Sequence, residues 1–105
     1  MEFPNLSYIE SLSGGDKTFE NKLIGIIKLE FSEEKSTYYK NFSKGDYVLA
    51  SENVHKLKHK ISILGLEESY ALATDYENNL KDDDISLCEE FESILENITD
   101  YLSQI

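Results

Sequence analysis

A single cysteine, a single proline and five glycines are all the punctuation that this 105-residue sequence carries. Cys88 has no partner for an internal disulfide, which points to a reducing setting. Sandwiches and barrels need turn signals every 8–12 residues or so, and the scarcity of glycine and proline excludes them in favour of a few long elements. No N-terminal run is apolar enough for a signal peptide or a membrane span, so a cytoplasmic location is expected. Positive charge is scarce too. Ten lysines face 21 acids, a formal net charge of -11. The shortage is local: residues 66–105 hold one lysine against twelve acids, whereas residues 1–65 are balanced, nine against nine. Such a surface repels nucleic acid and anionic membranes, and neither is expected as a partner. Most of these acids read as a solvated face that keeps a small protein soluble. A hydrophobic content of 40% supplies one core, so residues 1–105 are expected to form one domain.

Apolar periodicity predicts five helical segments. Phe3, Leu6, Ile9 and Leu12 follow helical spacing around Pro4 and stop at Gly14-Gly15. Asp16 is placed to cap a second helix carrying Phe19, Leu23, Ile26, Ile27, Phe31, Tyr38 and Phe42, which ends at Ser43-Lys44-Gly45. Asp46 restarts the chain. Val54, Leu57, Ile61 and Leu64 then form one apolar stripe that Gly65 closes. A fourth helix runs from about Glu67 to Leu80 with Tyr70, Ala73, Tyr76 and Leu80 inward. The polar run from Lys81 to Asp84 leads to a fifth, opened by Ser86 and Glu89 in capping-box spacing and continued by Leu87, Phe91, Leu95, Ile98, Leu102 and Ile105. Amphipathic helices joined by short connections lie side by side. The expected fold is all-α, an antiparallel up-down four-helix bundle with a short extra N-terminal helix.

Both histidines sit in one basic island, His55-Lys56-Leu57-Lys58-His59-Lys60, with no acid inside it. At about 100° per residue, His55 lies about 140° from the centre of the apolar stripe, His59 about 180° and Lys58 about 80°. Both imidazoles should therefore face water rather than serve as satisfied core residues. Histidines at i and i+4 are half of a transition-metal site, but only Cys88 is left to complete one and the lysines disfavour a cation, so no metal is expected.

These residues resemble the histidine-containing phosphotransfer (HPt) family. His55-Lys56-Leu57-Lys58, with Leu64-Gly65 further on, looks like the family's histidine, any residue, apolar residue, lysine pattern. Leu72-Ala73 and Tyr76-Glu77 sit where the family tends to have an apolar-small and an apolar-Glu pair. The resemblance covers essentially the whole chain. It implies that His55 accepts a phosphoryl group from the aspartyl phosphate of a receiver domain and relays it to another. Imidazole suits this, because near neutral pH one ring nitrogen is unprotonated and nucleophilic. The receiver would bring Mg²⁺, an Asp and a Lys, and no cofactor is expected on this chain. Lys58, one turn from His55, is placed to offset phosphoryl charge.

One departure stands out. The family usually has Gly four residues after the histidine, and this chain has His59. Three roles are open to it: tolerated at the edge of the docking surface, binding the phosphoryl group itself, or marking a domain that docks receivers but transfers poorly. The first is the expectation. Around His55, Lys56, Lys58 and Lys60 would steer a receiver's acidic pocket, with Ser51, Glu52, Ser62 and Ile63 framing the site and Leu12 of the first helix adding an apolar contact. A monomer is expected. Gly-rich phosphate loops and nucleotide-binding signatures are missing, so a phosphotransfer intermediate is expected rather than an independent enzyme. The competing class is a non-catalytic helical adaptor that binds a receiver or other partner.

Overall fold

A computed structural model describes residues 2–105. Among them are five α-helices and no strand: α1 (Ser7–Ser13), α2 (Lys17–Ser43), α3 (Tyr47–Ile63), α4 (Glu67–Lys81) and α5 (Cys88–Leu102). The all-α class read from the sequence holds. Helix starts follow local chemistry where a short acid is available. The Asp16 carboxylate accepts from the backbone N–H groups of Thr18 and Phe19 at 3.0 and 3.1 Å, and Asp46 accepts from Leu49 N–H at 3.1 Å. Gly45 and Gly65 turn the chain with positive φ, 73° and 78°.

Two starts differ from expectation. Phe3 lies before α1 and is 80% exposed, because the backbone of residues 2–5 bonds across the molecule instead of along a helix. Asn5 N–H donates to Leu64 C=O at 2.9 Å, and a Cβ on Gly65 would come within 2.5 Å of the Asn5 amide. The Glu2 carboxylate accepts from the N–H groups of Glu68 and Ser69, both at 2.8 Å, and so caps α4 from outside its own segment. The Ser86–Glu89 capping box does not form. Ser86 N–H is taken by the Asp84 carboxylate in a local turn, and α5 begins at Cys88 with no side-chain cap.

The buried apolar residues join into one core drawn from all five helices. Val54, Leu57, Ile61 and Leu64 are fully buried, as the stripe required. α3 packs against both α2 and α4, α5 against α4, and α1 against α2. α5 also meets α2: Lys35 Nζ donates to Thr99 Oγ1 at 2.8 Å, and the Tyr38 and Phe91 rings cross edge to face at 5.3 Å. Burying each large aliphatic side chain contributes about 1.5–3 kcal/mol, so this core, not helix propensity, holds the arrangement. Ile26 of α2 and Ile105, both expected inward, are 45% and 40% exposed. A helix of 27 residues outruns the core that one stripe can cover.

Candidate functional site

α3 presents His55 at the α3–α4 seam because the Val54–Leu57–Ile61 stripe points the opposite side of the helix into the core. The imidazole is 56% exposed. Its Nδ1 lies 3.2 and 3.4 Å from the two carboxylate oxygens of Glu77 on α4. An ionised carboxylate only accepts, so this contact calls for a proton on Nδ1, and in the neutral ring that tautomer leaves the lone pair on Nε2. In that tautomer Nε2 is the nucleophilic nitrogen of the ring. His59 is exposed on the same side, one turn on, its ring 5.4 Å from that of His55 and crossing it edge to face.

Glu77 is the centre of the cluster. Its Oε1 receives Lys58 Nζ at 3.0 Å, and Lys81 Nζ stands 3.8 Å from Oε2, the oxygen nearer His55. Burial alone would raise the Glu77 carboxyl, but the Lys58 ammonium and the His55 ring outweigh it and hold the group below the ordinary carboxylate value. Glu77 therefore stays ionised beside the imidazole.

Lys58, expected to offset phosphoryl charge beside His55 and to steer a partner, is turned into the α3–α4 seam. Only 9% of its side chain is exposed. The ammonium also donates to Thr74 Oγ1 at 3.2 Å and lies 5.1 Å from the centre of the Tyr70 ring. Tyr70, expected inward, is turned to the surface over it. Lys60 departs further. It reaches back to α2, where Glu30 and Glu34 receive it at 3.0 and 3.5 Å, and its side chain is 10% exposed. It cannot steer a partner from the His55 face. Ser51 is buried, its hydroxyl donating to Val48 C=O at 2.6 Å, so it forms part of a groove wall rather than an exposed docking contact. Ile63, expected outward, is half-buried against the core. Glu52, Lys56 and Ser62 are exposed, and so is Leu12.

Sequence reasoning placed Glu77 in a family-like pair but gave it no role, and it missed Lys81 altogether. The signal for Lys81 was its spacing four residues after Glu77 on one helix. A groove of about 470 Å³ opens beside the imidazole, lined by Val48, Glu52, His55, Lys56, Glu77 and Lys81 together with Ser51. No cluster of three or more His, Cys, Asp or Glu side chains able to hold a metal ion occurs among the described residues, and none of the described helices is long and apolar enough to cross a membrane.

No family model, no curated protein and no solved structure matches this chain.

Proposed function

We propose that this protein is a histidine phosphotransfer domain in which His55 relays a phosphoryl group between aspartates of receiver domains. The observation that carries the reading is the contact of His55 Nδ1 with an ionised Glu77 on an imidazole that is more than half exposed. In the transfer, Nε2 attacks the phosphorus of a receiver's aspartyl phosphate. A P–N bond forms, the acyl phosphate P–O bond breaks, and the receiver's carboxylate leaves with the electron pair. Nδ1 keeps its proton throughout, and Glu77 offsets the positive charge that develops on the ring. Lys58 acts through Glu77, holding the carboxylate in place and ionised.

The fold proposed for this role is an antiparallel up-down bundle of α2–α5 with α1 added to one side, formed as a single domain. Support comes from the three-residue connections at 44–46 and 64–66 and from the α2–α5 contacts that close the ring of helices. Mg²⁺ would belong to the receiver, and the chain would act as a phosphorylated intermediate without turnover of its own. His59 in place of the family's glycine favours a second reading, an adaptor that docks receivers without transfer.

Incubation with receiver domains phosphorylated by acetyl phosphate and Mg²⁺ separates the two. Phosphotransfer predicts an acid-labile, alkali-stable phosphate on this protein that His55→Gln abolishes. Equal labelling of the His55→Gln protein would sink the assignment, and receivers that bind without labelling either protein would leave the adaptor.

A further inference from the structure

Resting on the phosphotransfer reading, we propose that Lys81, and not Lys58, is the cation that binds the phosphoryl group on His55. The two lysines share Glu77 but hold it very differently. Lys58 is almost fully buried, and its ammonium is already engaged by the Glu77 carboxylate, Thr74 Oγ1 and the Tyr70 ring. Turning it toward a phosphate would strip a buried carboxylate of its counter-ion, which is costly. Lys81 is under no such constraint. Its side chain is 55% exposed, and at 3.8 Å from Glu77 it is attracted without being hydrogen-bonded. Among the described residues Glu77 is the single carboxylate it reaches.

Position makes Lys81 suitable as well as available. His55 Nδ1 and Lys81 Nζ both approach Oε2 of Glu77, so the imidazole and the ammonium are close neighbours across one oxygen. Both line the groove beside the imidazole, together with Lys56 and Glu52. Lys81 closes α4, and beyond it the chain leaves the helix, so the ammonium can swing from Glu77 into the groove without disturbing the core. A phosphoryl group on Nε2 carries close to two negative charges. It would draw the loosely held ammonium away from a carboxylate that keeps Lys58. Glu77 thus parks Lys81 at the site before transfer, and the phosphohistidine takes it over afterwards.

Potassium phosphoramidate provides a test that needs no receiver. His55 Nε2 attacks its phosphorus, the reagent's P–N bond breaks and ammonia leaves, producing phosphohistidine on the folded protein. The half-life of that phosphate is then followed for the parent, Lys81→Ala and Lys81→Arg proteins. Loss of one partly exposed charge-assisted contact predicts a half-life about three- to tenfold shorter for Lys81→Ala. Lys81→Arg should stay within about twofold of the parent, a rescue that a purely structural role would not produce. Equal half-lives for the parent and Lys81→Ala would overturn the assignment of Lys81. Receivers tested in parallel keep the two readings apart: a parent that phosphoramidate labels and receivers do not would refute the relay, while the half-lives would still decide for or against Lys81. A parent that takes no phosphate at His55 from either source would overturn both.

Discussion

The α3–α4 seam and the α2–α5 seam use the same ingredients in opposite proportion. At the first, one carboxylate, Glu77, meets three basic side chains, His55, Lys58 and Lys81. At the second, Glu89, Glu92, Glu96 and Asp100 line a groove with Tyr39, and the Lys35 ammonium of α2 lies 3.3 Å from Glu96. The titrating groups respond accordingly. Glu77 is held below its ordinary value, whereas burial and the nearby Glu92 push the Tyr38 and Tyr39 hydroxyls and the Cys88 thiol up. An added anion is stabilised at the first seam and repelled at the second. A net charge of -11 therefore says little about where this protein could hold an anion. The arrangement of the few cations decides it.

Breaking the α3–α4 cluster should have the largest effect. Glu77→Ala leaves the Lys58 ammonium buried without a counter-charge and frees Nδ1 of His55, and it should cost roughly 1–3 kcal/mol of stability in denaturant unfolding. In the same protein, labelling of His55 should slow by about tenfold or more, since the tautomer and ring orientation are no longer held. Stability of Glu77→Ala equal to the parent would show that the cluster is only surface decoration.

The pH dependence sharpens the same contrast. The carboxyl of Glu77 titrates lower in the folded protein than its ordinary value of 4.5, so the folded state binds its proton less readily. Its stabilising contribution is complete above that value and is lost as pH falls through the folded one. Urea midpoints measured from pH 6 to pH 3 should therefore fall less steeply for Glu77→Gln than for the parent. Parallel curves would contradict the shift.

A smaller effect is expected at the other seam. Tyr38 OH lies 2.6 Å from Tyr76 OH and donates to Glu92 at 3.0 Å, and Tyr38→Phe removes both contacts. It should cost about 0.5–1.5 kcal/mol by thermal or denaturant unfolding. Labelling of His55 should be unchanged, because neither of these hydrogen bonds involves His55, Glu77, Lys58 or Lys81. The smallest effect belongs to His59→Gly. The ring rests edge to face against His55 but holds neither Glu77 nor a lysine, so removing it should leave labelling by a phosphorylated receiver equal or faster. A loss of tenfold or more would make His59 a participant.

Much of the fold was legible because it is encoded locally. The aspartates at 16 and 46, the glycines at 45 and 65 and the stripe at 54, 57, 61 and 64 each act within a turn or two of chain, and the structure uses all of them. The failures share a different cause. Lys58 and Lys60 are buried because carboxylates on α4 and α2 come to meet them, and a helical wheel contains only its own helix. Glu2 caps α4 over a separation of 66 residues, which no local pattern records. At the candidate site, the exposure of His55 and His59 followed from the wheel. The division of labour between Lys58 and Lys81 did not, since it depends on which ammonium the tertiary structure encloses.

The roles given to Glu77 and its lysines all depend on which nitrogen of which histidine reacts. Imidazole ¹⁵N and ³¹P NMR of the ¹⁵N-histidine-labelled protein, before and after transfer from a phosphorylated receiver, reads that nitrogen out. The unphosphorylated protein should show His55 protonated on Nδ1, and the product should carry phosphorus bonded to Nε2 of His55 alone. Phosphorus on Nδ1 of His55, or on His59, would rule out the relay geometry proposed for the α3–α4 seam.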